Sequence, residues 1–194
     1  MSQSDLSRFR LKKDNLALMI IDVQEKLVAT MDPDEWEFTA EKILHLIHTA
    51  KEYRLPIFWT EQYPKGLGST LDLFKKELEG YENLVYQDKI EFSALKNEEF
   101  QKKWAEKGKK QVILTGLECH ICVTQTALDL LERECLVFVP NDAVISRHAE
   151  DFGAGLDFME KAGATVVSTE MIMFQLMEKA GTPDFKKLSK LIKP

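Results

Sequence analysis

The sequence is poor in the features that mark disulfide-stapled, membrane-spanning and polyanion-binding proteins. Three cysteines in 194 residues are an odd number and too few for a disulfide scaffold, so we expect a reducing, cytoplasmic compartment. No apolar run approaches the roughly 18 residues of a membrane span, and Met1–Lys13 has no apolar core, so we expect neither a membrane partner nor a signal peptide. The formal net charge of −6 argues against nucleic acid as a partner.

The signatures of common cofactors are also missing. No Gly-x-Gly-x-x-Gly follows the first apolar run and no Walker-type glycine loop occurs, so no nucleotide cofactor is indicated. Cys119 and Cys122 form a Cys-x-x-Cys pair, but a structural zinc site would need a second Cys or His pair. Cys135 stands alone, and His45 and His48 lie on an early predicted helix. We therefore expect no cofactor and no metal.

What the chain does contain is a regular alternation of apolar and amphipathic runs, without linkers or repeats. The apolar runs predict six strands, over Leu16–Asp22, Ile57–Glu61, Leu84–Gln87, Val112–Gly116, Cys135–Pro140 and Thr165–Ser168. The first amphipathic helix begins at Pro33, behind an Asp32 cap, and further helices are predicted near 71–78, 97–107, 121–132, 149–162, 170–179 and 184–192.

Strands that alternate with helices predict parallel pairing with right-handed crossovers. The expected fold is a three-layer α/β/α sandwich, Rossmann-like, with a mostly parallel six-stranded sheet. We expect a single domain over residues 1–194, with residues 1–13 as a flexible or loosely packed N-terminal segment. In such sheets ligands bind beyond the carboxyl ends of the strands. The candidate site residues therefore include Asp22, Glu61, Lys89 and the turn over Gly116–Cys122.

Cys122 opens a predicted helix directly after the fourth strand. The free N–H groups and dipole of a helix N-terminus stabilise a thiolate, which is the nucleophilic form of cysteine. The same N–H groups could hold a developing oxyanion. Two alternatives stay open, because buried cysteines are usually inert and because Cys119 and Cys122 could form a redox dithiol.

Asp22 and Lys89 each follow a strand and could act with the thiol. Asp22 would be a partly desolvated carboxylate at the edge of the sheet, although a lone aspartate there is more often a cap or a loop hydrogen bond. Lys89 would stabilise a thiolate and hold the carboxylate in place, although most lysines are solvated surface charges.

Three fragments now converge on one family. Asp22-Val-Gln24 at the end of the first strand resembles the Asp-x-Gln motif of the isochorismatase-like cysteine hydrolase superfamily. Asp88-Lys89 followed by Phe92-Ser93 is similar to its lysine motif, and Leu114–Ala127, with Cys122 inside it, is similar to its nucleophile motif. The stretch Thr60–Ser69 resembles the isochorismatase domain-containing branch of that superfamily more closely.

The resemblance implies a role for each matching residue. Cys122 would be the nucleophile, Asp22 the general base, and Lys89 the group that stabilises the pair. A cis peptide between Leu117 and Glu118 would turn the Glu118 N–H toward the N–H of Cys122 to form an oxyanion hole. Attack on a carbonyl would give a thioester-type intermediate that water then hydrolyses.

Differences between this sequence and the superfamily motifs argue against two of the superfamily's activities. Nicotinamidases of the superfamily carry metal-binding histidines after the second strand, whereas Trp59–Pro64 contains none, so we expect no metal-dependent nicotinamidase. True isochorismatases lack the cysteine, and Cys122 argues against their chemistry. Cys119 takes a place where a small polar residue is expected, which leaves a Cys119–Cys122 redox lock open.

Several neighbours of these residues are candidates for lining or positioning the pocket. They are Gln24, Glu61, Gln62, Tyr63, Phe92 and Cys119. Glu61, Gln62 and Tyr63 could equally pin their loop, and the side chain of Glu118 could face a subunit interface.

The sequence thus predicts a hydrolase of a small amide-like molecule that acts without a cofactor through Cys122, Asp22 and Lys89. Relatives in the superfamily imply a homo-oligomer, a dimer or larger. Two other hypotheses remain: a thiol-disulfide or redox-sensing protein that uses Cys119 and Cys122, and a catalytically silent interaction module on the same fold.

Overall fold

Seven strands form one parallel sheet at the centre of residues 6–192, which are the residues that this computed structural model describes. The strands are β1 (Leu16–Ile21), β2 (Ile57–Gln62), β3 (Leu84–Lys89), β4 (Gln111–Leu117), β5 (Leu136–Pro140), β6 (Val144–Ile145) and β7 (Thr165–Val167). Their order is β3-β2-β1-β4-β5-β7, with the short β6 paired to β4 beyond the end of β5. The predicted α/β class and mostly parallel sheet are confirmed.

The predicted number of strands is wrong, because the sheet has seven rather than six. The extra strand is β6, whose two residues, Val144 and Ile145, pair with Gly116 and Leu117. A two-residue strand carries no readable hydrophobic period, since a period of two needs several residues to show itself.

Helices cover both faces of the sheet. They are α1 (Glu25–Val28), α2 (Pro33–Glu52), α3 (Pro64–Leu67), α4 (Asp72–Leu78), α5 (Glu98–Lys107), α6 (Thr124–Glu132), α7 (Ala149–Ala162), α8 (Thr169–Met177) and α9 (Pro183–Leu188). The Asp32 cap of α2 is confirmed, because its Oδ1 accepts hydrogen bonds from the N–H groups of Asp34 and Glu35. Among the described helices, none is long and apolar enough to cross a membrane.

The central strand β1 is buried on both faces and supplies the two halves of the core. Leu16, Leu18 and Ile20 pack with residues of α2, α4 and α8. The alternate residues Ala17, Met19 and Ile21 pack with residues of α5, α6 and α7 on the other face. The uninterrupted apolar run of β1 therefore follows from its position in the middle layer, where both faces are covered.

The N-terminal segment is tied to the body of the protein from Arg10 onward. The side chain of Gln111 accepts a hydrogen bond from the N–H of Lys12 and donates one to the carbonyl of Arg10, and Gln175 accepts one from the N–H of Leu11. These hydrogen bonds join residues 10–12 to the sheet and to α8, while residues 1–5 lie outside the described residues.

Gly116 is required where β1 and β4 approach each other. Its φ is +114°, and a Cβ atom built on it would lie 2.0 Å from the carbonyl oxygen of Ile21. The neighbouring atom is backbone in the middle of the sheet, so it cannot move aside.

Gly116→Ala should therefore destabilise the fold by at least about 2 kcal/mol, measured by urea denaturation, because strain and clash add. Gly153→Ala is the matched control. Gly153 lies in α7 with no other atom within 4 Å of a built Cβ, so this change should stabilise by up to about 1 kcal/mol. Equal unfolding midpoints for Gly116→Ala and the wild type would contradict the assignment.

Candidate active site

The candidate site lies where the strand order changes direction. The strands β2 and β3 lie on one side of β1, and β4, β5 and β7 lie on the other. The crevice between the carboxyl ends of β1 and β4 is therefore the topological switch point, where α/β proteins bind ligands. Asp22 follows β1 and the turn that carries Cys122 follows β4. The topology alone brings these two residues to one crevice.

Asp22 is completely buried and held in a strained backbone conformation. Its φ is +51°, in the left-handed region that costs a non-glycine residue roughly 1–3 kcal/mol. Its N–H donates to the carbonyl of Thr60 and its own carbonyl accepts from the N–H of Gln24. The carboxylate accepts hydrogen bonds from Thr60 Oγ1 and Lys89 Nζ, each at 2.7 Å. These contacts fix the carboxylate at the point where the chain leaves the sheet.

Lys89 reaches Asp22 across the width of β2. It is the last residue of β3 and pairs in register with Gln62, the last residue of β2. Its ammonium donates to Asp22 Oδ2 and Gln62 Oε1, both at 2.7 Å, and to the carbonyl of Phe92 at 3.2 Å. An ammonium has three donors, so every one of them is used. Neither side chain of the Asp22–Lys89 ion pair is accessible to solvent.

Cys122 lies in a turn of π helix over Cys119–Val123, just before α6. The N–H of Val123 donates to the carbonyl of Glu118, five residues back, and Thr124 Oγ1 donates to the carbonyl of Cys119. Short π segments occur frequently at functional sites. Cys122 is 6% exposed, and its thiol lies beside the carboxylate of Asp22, whose charge and hydrogen bonding act on the pKa of that thiol. The structure therefore brings together Asp22, Lys89 and Cys122.

The thiol is in its protonated form, contrary to the expected stabilisation of a thiolate. Burial above all, together with the charge of Asp22 and the hydrogen bond to it, raises the pKa of Cys122 to about 12, although Lys89 acts to lower it. Desolvation and an adjacent carboxylate outweigh the helix N-terminus because both act directly on the sulfur. The resting arrangement is a protonated thiol beside a carboxylate.

The predicted cis peptide between Leu117 and Glu118 is wrong. Residues 6–192 contain no cis peptide bond. A trans bond is lower in energy by about 3–4 kcal/mol for a residue that is not proline. The chain turns after β4 through extended backbone at Glu118, with φ −81° and ψ 143°, and the Glu118 carbonyl then accepts the first N–H bonds of the π turn, from Ile121 and Val123.

The side chain of Glu118 is buried and binds within the chain. Its carboxylate accepts a hydrogen bond from the N–H of Arg147 at 3.2 Å and lies 3.7 Å from the guanidinium of the same residue. Next to it, Ser146 Oγ lies 2.9 Å from His120 Nδ1. The segment after β6 thereby contacts and supports the turn that carries Cys122.

The side chains of Gln24, after β1, and of Glu61, near the end of β2, hold loops. Gln24 accepts from the N–H of Gln62 and donates to the carbonyls of Gln62 and Gly68. Glu61 accepts from the N–H of Thr70 at 2.6 Å and from the hydroxyl of Tyr86 at 2.8 Å. Glu61 thus pins its loop, whereas the side chain of Gln62 accepts a hydrogen bond from Lys89 and donates one to the carbonyl of Ile90.

The other pocket candidates differ in their surroundings. Tyr63 is exposed and its ring lies over Gly66, where a built Cβ would come within 2.2 Å of it. The ring of Phe92 is also exposed, and its carbonyl contacts Lys89. Cys119 is fully buried with its Sγ 3.8 Å from the carbonyl of Phe152, and burial raises its pKa to about 12. Cys119, like Cys122, is a free thiol.

Thr60 is a site residue that sequence reasoning missed. Its hydroxyl donates a hydrogen bond to Asp22 Oδ1, the carboxylate oxygen that Lys89 does not bind. The available signal was a polar residue inside a buried strand, next to the strand end and in register with Ile21. Such a residue needs a buried hydrogen-bond partner, and Asp22 was the nearest candidate.

A cleft of about 440 Å³ opens at the same edge of the sheet, between the start of α2 and the start of α7. Phe38, Ile145, Ser146 and Phe152 are among its lining residues, and Cys122 is not. Asp22, Lys89 and Cys122 are themselves buried. Within the described part of the chain, no group of three or more His, Cys, Asp or Glu residues could hold a metal ion.

Comparison with known proteins agrees with this geometry. The model of the isochorismatase domain matches residues 16–171. The chain is 35% identical over 189 residues to the "Secreted isochorismatase effector Isc1" of Phytophthora sojae, covering 95% of this chain and 87% of the relative. It is 36% identical over 186 residues to "Isochorismatase domain-containing protein 2" of Danio rerio, covering 94% and 89%. The chain belongs to the isochorismatase family.

Solved structures show the fold of the isochorismatase-family hydrolases. The MAR1 ribonuclease from Caenorhabditis elegans is 36% identical with a TM-score of 0.83, over 94% of this chain and 92% of that one. YcaC from Pseudomonas aeruginosa, with hexane-2,5-diol and covalent acrylamide, is 25% identical with a TM-score of 0.85, over 94% and 91%. The Escherichia coli YcaC, an octameric hydrolase of unknown specificity, is 25% identical with a TM-score of 0.81, over 93% and 95%.

The buried ion pair makes a prediction about stability. Asp22→Asn leaves the ammonium of Lys89 buried without a counter-charge, and Lys89→Met does the same to the carboxylate. Each single change should cost about 3–5 kcal/mol, while the double change should cost less than either single change alone. Urea denaturation of all four proteins measures this cycle, and strictly additive losses would contradict a direct interaction.

The raised pKa of Cys122 makes a prediction about alkylation, which requires the thiolate. Iodoacetamide should modify Cys122 at a rate that still rises above pH 9, because the pKa of about 12 lies above the free value of about 8.5. Asp22→Asn removes a negative charge that raises the pKa, so its profile should move to lower pH. Peptide mass mapping reports the rate at Cys122, and a wild-type rate that levels off near pH 8 would refute the assignment.

Proposed function

We propose that this protein is a cysteine hydrolase of a small amide-like substrate, with Cys122 as nucleophile, Asp22 as general base and Lys89 as the group that holds the base. One observation carries the proposal: the thiol of Cys122, whose pKa is raised by burial and by Asp22, lies beside a buried carboxylate that Lys89 and Thr60 hold in place. A thiol paired with a fixed base is the arrangement that nucleophilic catalysis needs.

In the first step the Cys122 sulfur attacks the carbonyl carbon of the substrate while its proton passes to the carboxylate of Asp22. The carbon–sulfur bond forms and the carbonyl becomes an oxyanion. N–H groups at the start of the nucleophile helix, that of Cys122 among them, would stabilise this oxyanion. Asp22 then gives its proton to the leaving nitrogen as the carbon–nitrogen bond breaks, and a thioester remains on Cys122.

In the second step water hydrolyses the thioester. Asp22, again ionised, takes a proton from the water as its oxygen attacks the carbonyl, and the thiol of Cys122 leaves with that proton. The products are a carboxylic acid and ammonia or an amine. Lys89 stays protonated and hydrogen-bonded to Asp22 throughout, so it keeps the base in place in both steps.

Three features support a small neutral amide rather than a polyanion. The triad is enclosed, with Asp22 and the side chain of Lys89 inaccessible to solvent. The only cation in the triad is already paired, and the chain has a net charge of −6, which disfavours RNA although one relative is called a ribonuclease. A relative with the same fold was solved with covalent acrylamide, itself a small amide.

The proposal differs from two activities of the wider family. Trp59–Pro64, at the end of β2, contains no histidine to bind a metal, which disfavours a metal-dependent nicotinamidase. The presence of Cys122 disfavours the vinyl-ether hydrolysis of a true isochorismatase. No observation favours the redox or silent-module hypotheses.

For assembly and compartment, we propose a homo-oligomer in the cytoplasm. One relative is described as octameric, which supports a homo-oligomer. The cysteines Cys119, Cys122 and Cys135 are all free, which supports a reducing compartment. Another relative is described as secreted, so fractionation of the native cell decides this point.

The test is a screen of small primary amides for ammonia release, combined with intact-mass detection of an acyl group on the protein. We expect one or more amides to be hydrolysed, and Cys122→Ala to lower the rate by at least about 1,000-fold, since such a change removes the nucleophile. Cys135→Ala is the matched control: it removes another buried free thiol, at the start of β5 away from the triad, and should leave turnover unchanged.

The opposite pattern would refute the proposal. If Cys122→Ala retains turnover, the cysteine is not the nucleophile. If Cys119→Ser abolishes function while Asp22→Asn is silent, the redox hypothesis takes its place.

A further inference from the structure

The loop that follows Lys89 is fastened to the helix that follows Cys122. Ser93 Oγ donates to Asp129 Oδ2 at 2.5 Å, and the N–H of Ala94 donates to Thr126 Oγ1 at 3.1 Å. Asp129 and Thr126 both lie on α6. Because they are three residues apart, they lie on one face of that helix.

Two longer side chains reinforce the same connection. Lys96 Nζ lies 3.1 Å from Asp129 Oδ1, so both oxygens of this carboxylate are bound to the loop. Arg133 donates to the carbonyl of Leu95 at 3.4 Å and to the carbonyl of Asp129 at 2.9 Å. We call the set formed by Ser93, Ala94, Thr126 and Asp129 the loop clamp.

Packing alone does not explain the residue types in the loop clamp. Thr126 is fully buried and the side chain of Asp129 is 8% exposed, in the middle of a helix whose neighbouring buried residues, Ala127 and Leu130, are apolar. A buried carboxylate is costly unless it is paired and hydrogen-bonded. An apolar residue would cover the same face without that cost, so the polar pair points to a need for a fixed loop position.

The loop clamp acts on the contact between the Lys89 ammonium and the carbonyl of Phe92. Two of the ammonium donors bind Asp22 and Gln62, and the third binds the carbonyl of Phe92. Phe92 directly precedes Ser93. The clamp therefore fixes the position of the Phe92 carbonyl relative to α6. This helix begins beside Cys122.

We propose that Thr126 and Asp129 are positioning residues that hold the Lys89 ammonium at a defined place relative to the sulfur of Cys122. This inference rests on the proposed function, since it assigns the clamp to the same triad. Neither residue would touch the substrate. Loosening the clamp would leave the sheet intact and let the ammonium move away from the sulfur.

The test compares alkylation of Cys122 by iodoacetate and iodoacetamide, which are similar in size and differ in charge. Exposure of the sulfur and its thiolate fraction affect both rates alike, so their ratio reports the local positive charge. Lys89→Met gives the ratio without the ammonium. Thr126→Val and Asp129→Asn should lower the iodoacetate-to-iodoacetamide ratio toward that value, by about threefold or more. Thr126→Ser, which keeps the hydroxyl, should restore it.

Thr49→Val is the matched control. Thr49 is a buried threonine in α2, on the other face of the sheet, and its hydroxyl bonds to the carbonyl of His45. This change removes an equivalent hydroxyl and should leave the ratio at its wild-type value, even if it lowers the unfolding midpoint as much as Thr126→Val does.

The outcomes separate this inference from the proposed function. If Lys89→Met changes the ratio but Thr126→Val and Asp129→Asn do not, the positioning role is overturned and the triad stands. If Lys89→Met itself leaves the ratio unchanged, the ammonium does not act on Cys122 and the inference fails, while the proposed function, in which Lys89 holds Asp22, is decided by the Cys122→Ala turnover test. A change in both rates with a constant ratio would show that the clamp only limits access, which also overturns the inference.

Discussion

The ion pair between Asp22 and Lys89 is the interaction on which the rest of the candidate site depends. Both charges are fully removed from solvent, so each would be strongly destabilising alone. Hydrogen bonds from Thr60 and to Gln62 and Phe92 complete the coordination of the pair. The result is a carboxylate of fixed position that faces the sulfur of Cys122.

That pair exists only because the sheet is parallel and ordered as it is. Parallel strands bring their carboxyl ends to one edge, and the order β3-β2-β1-β4 places Asp22 between Lys89 on one side and the nucleophile turn on the other. The side chain of Lys89 crosses above the end of β2, where Gln62 supports it. Burial of the thiol in the same crevice raises its pKa and so favours its protonated form beside the carboxylate.

Much of this could be predicted from sequence, because local signals carried it. The apolar run over Leu16–Ile21, the Asp32 cap and the alternation of strands with helices indicate the α/β class directly. Asp22, Lys89 and Cys122 could be selected because each follows a strand. Two of the predictions that failed, the number of strands and the thiolate form of Cys122, depend on residues that are distant in sequence. The short β6 forms by pairing with β4. The pKa of Cys122 is raised by burial and by the carboxylate of Asp22, 100 residues away.

The amino-acid sequence by itself determined which residues could do chemistry and on which edge of the sheet they would lie, since strand periodicity and strand ends are local properties. Only the tertiary structure decided what those residues are to one another. It made Asp22 and Lys89 a buried pair, made Cys122 a thiol rather than a thiolate, set Glu61 to hold a loop and set Gln62 to bind Lys89. Burial, charge proximity and hydrogen-bond partners depend on side chains that meet across strands, and no local pattern encodes them.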